Sequence, residues 1–365
     1  MRVYFGATGD KHGVRRARLV NPALADLVAS VRAHPGLTGK AAIGLVREVL
    51  GPTDWLAGPG DDAAVVAESG TQMILAGGEA LWPPFVAADP FGAGIAAVLA
   101  NVNDLAAMGA RPRAILDTIV ADEDVARAVL EGIAHAAHLY DVRIAGGHLT
   151  VRDGPPAVAA FGIGEASTVL SARRVDPGLA LLLACCLDGT MRADFPFFAS
   201  FEQRGERLAG DIRLLAEAAD AGDAVAAKDV SMAGLVGSLG MLLEWRRAGA
   251  VIDLDALPRP AGVDLAQWLV CFPAYGFLLC APDERADGCA GRFRERGLVC
   301  ERIATLDGSG LIRLRRGTEL LTVLDLTREP VTGLAATAQS PSAGASPRCT
   351  VQGLPPVASR GGRRS

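Results

Sequence analysis

NVNDLAAMGARP, Asn101 to Pro112, is the stretch on which the reading of this chain turns. Around it, Ile95, Val98, Leu99, Val102 and Leu105 recur at helical spacing and predict a core-facing stripe, with Asn101 and Asp104 one turn apart on the opposite side. A carboxylate and an amide therefore point the same way near the end of a helix. Met108-Gly109-Ala110 followed by Arg111-Pro112 ends that helix, because glycine suits the C-terminal cap and proline cannot continue it. Taken alone, such a polar side is also how an ordinary solvated helix looks.

Working outward, three further stretches place polar residues in apolar, small-residue surroundings. In GPGDDAAVV, Gly58 to Val66, Gly60 leads into two adjacent carboxylates, Asp61 and Asp62, in a turn that runs into a strand-like stretch. A chain can hold a divalent metal against phosphate in this way, although Gly-Asp clusters also mark plain turns. In AGGHLT, Ala145 to Thr150, Gly146 and Gly147 permit close backbone approach, and His148 can donate to a phosphate or bind a metal through a ring nitrogen. In AKDVSMAGL, Ala227 to Leu235, Ser231 is a natural N-cap for a helix through Leu235, Leu239 and Leu242 to Trp245. Capping accounts for Ser231 but not for Asp229 beside Lys228.

Composition bounds the class. At 365 residues the chain exceeds the usual single-domain size, so two domains with sizeable cores are expected. Half the residues are hydrophobic and the mean hydropathy is +0.28, yet no apolar run reaches the length needed to span a bilayer. The net charge is −5 and the basic residues are scattered, which gives no nucleic-acid footprint. A small-molecule partner is expected instead. Seven cysteines, with no CxxC pair and mostly in apolar contexts such as LLLACCLDG, fit buried reduced thiols better than a disulfide framework. The first twenty residues lack an apolar signal segment, so the expected location is the cytoplasm.

Along the chain, residues 1–20 read as a loose basic arm, and 21–57 as short helices broken at His34-Pro35-Gly36. Residues 58–170 alternate strands and helices. The turn Val175 to Gly178 lies near the start of a second unit, 171–334, whose first strand is LALLLACCL, Leu179 to Leu187. Residues 335–365, rich in Ala, Ser, Pro, Gly and Arg, cannot bury a core and read as a disordered tail.

The four motifs in this order resemble the AIR synthase (PurM-like) superfamily over roughly residues 40 to 330. Its members include aminoimidazole ribonucleotide synthetase, thiamine-monophosphate kinase, selenophosphate synthetase and the hydrogenase-maturation carbamoyl dehydratase. NVNDLAAMGARP, AAKDVSMAGL and the stretch Trp268 to Pro273 are most similar to the AIR synthase-like branch found near nitrilase gene clusters. The resemblance implies an α/β, two-domain fold in which the N-terminal ATP- and metal-binding domain forms a shared β-barrel in a homodimer. It implies Asp61, Asp62, Glu79, Asp104 and Asp229 as metal ligands. Gly60, Asp61, Asp62, Asn101, Asp104, Gly146, Gly147, His148 and Lys228 are the implied nucleotide contacts, and Asp104, His148 and Asp229 the catalytic group. Lys40 is a further candidate for phosphate contact.

Departures qualify the activity. Glu79 stands where relatives usually have Asp, and Met232 and Ala233 replace a second acid and a glycine. FPAYGFLLC, Phe272 to Cys280, lacks the acid of the corresponding Tyr-Glu-Leu segment, which argues against a plain thiamine-phosphate kinase. PRCT, Pro347 to Thr350, resembles a C-terminal cysteine motif but lies inside the tail, and the N-terminal arm has no cysteine. With no Walker GxxxxGK[ST] present, phosphate charge would be neutralised by Mg²⁺ held on carboxylates. The expected function is an ATP- and Mg²⁺-dependent enzyme that activates an oxygen of a small amide-, nitrile- or acid-related metabolite. The alternatives are a non-catalytic nucleotide-binding dimer that regulates or scaffolds a partner enzyme, and a sugar- or cofactor-binding cleft on a retained fold.

Overall fold

The computed structural model describes residues 22–51, 60–193 and 195–334. The N-terminal arm, Gly58, Pro59, the tail and Cys349 in its PRCT stretch lie outside the described residues. The turn at Gly60 leads into β1 (Ala64–Ser69), which forms a hairpin with β2 (Gln72–Ala80). Adding β3 (Arg111–Ala121), β4 (Arg143–Val151) and β5 (Ala157–Ala166) gives a five-stranded sheet in the order β1-β2-β5-β3-β4. Only the β3–β4 pair is parallel, and the helix Glu123–Tyr140 provides its crossover.

The motif helix, Pro90–Ala107, lies between this sheet and the second half of the chain. Asp89 caps it by accepting from the Gly92 amide at 2.9 Å, and Pro90 supplies the preset first turn. Its end is as expected, with Gly109 at a left-handed φ of +73° and the Ala110 amide donating back to the Leu105 carbonyl at 2.9 Å. Close helix contact explains its small residues. A Cβ on Gly94 would lie 2.1 Å from the Val129 carbonyl oxygen of the neighbouring helix, so only glycine lets the two backbones approach.

The second half contains a four-stranded antiparallel sheet in the order Val299–Thr305, Ala180–Cys185, Gly276–Ala281, Ala226–Asp229. Its three members Ala180–Cys185, Gly276–Ala281 and Ala226–Asp229 are buried throughout, as uninterrupted apolar spellings such as LLLAC require. One core joins Val98 and Val102 of the motif helix to Leu215, Phe277 and Leu279, so that helix is packed from both sides. A second core holds Leu181, Leu239 and Leu278 together with Leu24, Leu27 and Val31 of the N-terminal helix Leu24–Ala33. The break predicted at His34-Pro35-Gly36 is present, with the next helical turn beginning at Pro35. No described helix is long and apolar enough to cross a membrane.

One local expectation is corrected. The helix after AKDV spans Gly234–Glu244, its N-cap position is Ala233, and Ser231 makes no side-chain capping bond. Gly234 stands at φ +66°, where a Cβ would meet the Leu269 carbonyl oxygen at 2.3 Å. The chain therefore turns through that glycine, and the Ser231 carbonyl, not its hydroxyl, accepts from the Gly234 amide.

Candidate functional site

Three carboxylates from distant segments meet where the motif helix crosses the end of the strand Ala226–Asp229. Asp62 comes from the turn before β1, Asp104 from the last turn of the helix and Asp229 from the strand end. One oxygen from each lies within 4.8 Å of the others. Lys228 enters the same group: its ammonium donates to Asp62 Oδ1 and, at 3.2 Å, to Asp229 Oδ1. The Asp229 amide adds a bond to Asp62 Oδ2 at 3.3 Å.

Burial sets the electrostatics. Desolvation, with the Asp229 charge adding to it, outweighs the Lys228 ammonium and pushes the Asp62 carboxyl up to about 6. Desolvation and then the charges of Asp229, Asp62 and Glu79 hold Asp104 well above the usual carboxylate range. Glu79 on β2 is raised by the same causes, burial first and Asp229 second, against Lys40 and Lys228. For Lys228 burial opposes the charge, yet Asp62, Asp229 and Asp104 together hold its pKa above the ordinary value. This is an excess of negative charge drawn into a confined place, and hard oxygen donors in that arrangement suit Mg²⁺.

The other expected residues divide. Glu79, Asp104 and Asp229 line a cleft of about 170 Å³, together with Asn103, Ser231 and Met232. Asp61 stands outside the carboxylate group, because it accepts from Ser171 Oγ at 2.7 Å and from the Ala172 amide at 2.8 Å. Asn101 is also turned away. Its amide donates to the Ala97 carbonyl at 2.9 Å, and it packs against Gly162 of β5. The alternative of an ordinary solvated side does not hold, since Asn101 is buried and Asp104 is half-buried. Gly146, Gly147 and His148 lie on the edge strand β4, where the His148 ring is exposed and 3.1 Å from Thr150 Oγ1. None of these three lines the cleft or joins the carboxylates.

Asn103 was not singled out from the sequence. It bonds the Ala274 carbonyl at 3.3 Å while its own Oδ1 has no partner. It lies two positions from Asn101 in the quoted motif, and only knowing which side of the helix meets the second half distinguishes them. The acid missing from FPAYGFLLC is explained by packing. Tyr275 is fully buried and donates to the Asp211 carbonyl at 2.9 Å, and the strand after it is core throughout.

Comparison with known proteins agrees with this architecture. Residues 60–166 match the N-terminal domain of AIR synthase related protein, and residues 190–316 match its C-terminal domain. An uncharacterized protein of Synechocystis sp. is 35% identical over 277 residues, 75% of this chain and 86% of that protein. A thiamine-monophosphate kinase of Rhodopirellula baltica is 31% identical over 169 residues, 45% of this chain and 50% of its own length. Among solved structures, T. maritima PurL complexed with ADP superposes with a TM-score of 0.68 at 18% identity, covering 89% of this chain and 54% of that one. This chain thus spans about half the length of that PurL. The family matches extend over both halves of the described fold, and the chain belongs to the AIR synthase related, PurM-like superfamily.

Proposed function

We propose that this chain is an ATP- and Mg²⁺-dependent enzyme that transfers a phosphoryl group to an oxygen of a small amide-, nitrile- or acid-related metabolite. The observation that carries this reading is the convergence of Asp62, Asp104 and Asp229, two of which, Asp104 and Asp229, line a cleft. Mg²⁺ bound there would neutralise phosphate charge. Asp62, Asp104 and Asp229 would hold it, with Glu79 at the cleft side, and Lys228 would supply a fixed positive charge beside it. The acceptor oxygen attacks the γ-phosphorus, the bond to the β,γ-bridging oxygen breaks, ADP leaves with that oxygen, and any N–H or O–H proton the acceptor loses is released to solvent. The protein's share is to position both reactants and to keep water from the cleft.

Support comes from the relatives. PurL of T. maritima was solved with ADP, and ThiL with AMPPCP and TMP. The division into an ATP- and metal-binding unit, 58–170, and a second unit, 171–334, fits the five-stranded sheet of the first half and the four-stranded sheet of the second. A homodimer closed through the five-stranded sheet fits the exposure of Val66, Leu149, Val151 and Phe161 on its strands. In that dimer His148, on the edge strand, would act near the partner and not beside Asp104. A cytoplasmic location and a place in nitrogen metabolism, after the branch near nitrilase clusters, belong to the same proposal.

Calorimetry on the full chain tests it. AMPPCP is expected to bind with Mg²⁺ and to lose most of its affinity with the metal chelated. Asp104→Asn should remove the Mg²⁺-dependent part and abolish ATP consumption in the presence of acceptor. Unchanged consumption in that variant would refute the metal assignment. A second reading, a nucleotide-binding regulator without turnover, is favoured by exposed Met232 in place of an acid. Mg²⁺-dependent binding with no ATP consumption across amides and carboxylic acids would select it.

A further inference from the structure

The carboxylates occupy only one end of the cleft. The other end is built from Phe85, Phe195, Phe197, Phe201 and Phe272, five of the eleven phenylalanines in the chain, with Trp82 at its mouth, 65% exposed. The rings form one connected wall. Phe85 stacks on Phe195 with centroids 6.1 Å apart, Phe195 meets Phe272 edge-on at 5.7 Å, and Phe197 lies 4.6 Å from Phe272 and 5.8 Å from Phe201. Such a wall offers flat, apolar contact and ring-on-ring geometry.

Charge is scarce there. Among the described lining residues the only cation is Arg192, and Asp89 Oδ2 holds it at 2.9 Å. A phosphorylated sugar would bring at least one negative charge to this end with no lysine beside it. A polar request is present, however. Asn103, 3% exposed and lining the same cleft, has a side-chain oxygen with no partner, and a buried unpaired acceptor costs about 1–3 kcal/mol. An amide N–H satisfies it. The space, about 170 Å³, lies below the ~300–1,000 Å³ of pockets that enclose drug-sized ligands, so it suits a single ring.

We infer that the acceptor is an uncharged single-ring aryl amide or close carbonyl relative without a phosphate of its own. Its ring lies in the phenylalanine wall, its N–H is offered to Asn103 and its carbonyl oxygen faces the carboxylate end. This rests on the phosphoryl-transfer reading above and names the substrate class of that same cleft.

Benzamide and ribose 5-phosphate are the probes, titrated into the full chain with and without saturating Mg²⁺ and AMPPCP. Benzamide is expected to bind in both states and ribose 5-phosphate in neither. Phe197→Ala and, at the exposed mouth, Trp82→Ala should each weaken benzamide about tenfold or more, with AMPPCP binding reporting that the variants are folded. Displacement of benzamide by AMPPCP would overturn the inference by making the wall an adenine site. Binding of ribose 5-phosphate in place of benzamide would overturn it in favour of a phosphorylated acceptor, and so would AMPPCP binding with no benzamide binding. Benzamide binding without any AMPPCP binding would refute phosphoryl transfer while leaving the aryl site standing, so the two failures are distinguishable.

Discussion

Replacing Lys228 by methionine should expose how the carboxylate group is kept together. The ammonium donates to Asp62 and Asp229, and these side chains are 9%, 6% and 10% exposed, so little water can take its place. Removing one partner of a buried ion pair costs about 3–5 kcal/mol. Proton uptake limits that loss. With the Asp62 pKa already at about 6, neutralising this carboxyl at pH 7.5 costs only about 2 kcal/mol at 1.36 kcal/mol per unit, and less once the lysine is gone. The expected fall in unfolding free energy is therefore about 2–3 kcal/mol in chelator at pH 7.5. Mg²⁺ at a hundred times its Kd returns about 2.7 kcal/mol to the state that binds it. The assay is urea unfolding of wild type and Lys228→Met, followed by tryptophan fluorescence, in chelator and in saturating Mg²⁺. If ammonium and metal serve the same charge, Mg²⁺ closes at least half of the gap between the two proteins. A gap that stays the same or widens in Mg²⁺ would refute that reasoning, and no gap in chelator would refute the lysine's structural role.

Two other substitutions separate scaffold from site. Asp61→Ala deletes the acceptor for Ser171 Oγ and the Ala172 amide and should cost about 1–3 kcal/mol of stability, while Mn²⁺ affinity read by calorimetry stays at the wild-type value. A loss of Mn²⁺ binding equal to that of Asp62→Asn would place Asp61 among the ligands after all. Gly234→Ala should destabilise the fold by more than ~2 kcal/mol, since it meets both an unfavourable φ and the Leu269 carbonyl. A melting curve unchanged from wild type would show that the turn can shift.

Parts of this arrangement were readable because they are local. Gly109 ends the motif helix for a reason contained within one turn of chain. The choice between Asp61 and Asp62 was not local. Two neighbouring carboxylates in a turn are equivalent by spelling, and Ser171 and Ala172, more than a hundred positions away, claim one while Lys228 claims the other. That Asn103 and not Asn101 lines the cleft is likewise not a local property. Helical periodicity sorts side chains into a wet and a dry face, and this helix has core on both sides. Ser231 has the chemistry of a cap, but a left-handed glycine three residues later sets the helix start.

By itself the amino-acid sequence determined the alternation of strands and helices and the residue types that gather charge, because turn chemistry, apolar periodicity and carboxylate content are properties of short segments, and the order of its four motifs carried the resemblance to the superfamily. Only the tertiary structure decided that Asp62, Asp104 and Asp229 share one place with Lys228 among them, and that phenylalanines from separate stretches form one wall beside them. The reason is distance along the chain. Asp62 and Asp229 are 167 positions apart, and what brings them together is the packing of a buried helix between two sheets, which no local spacing encodes.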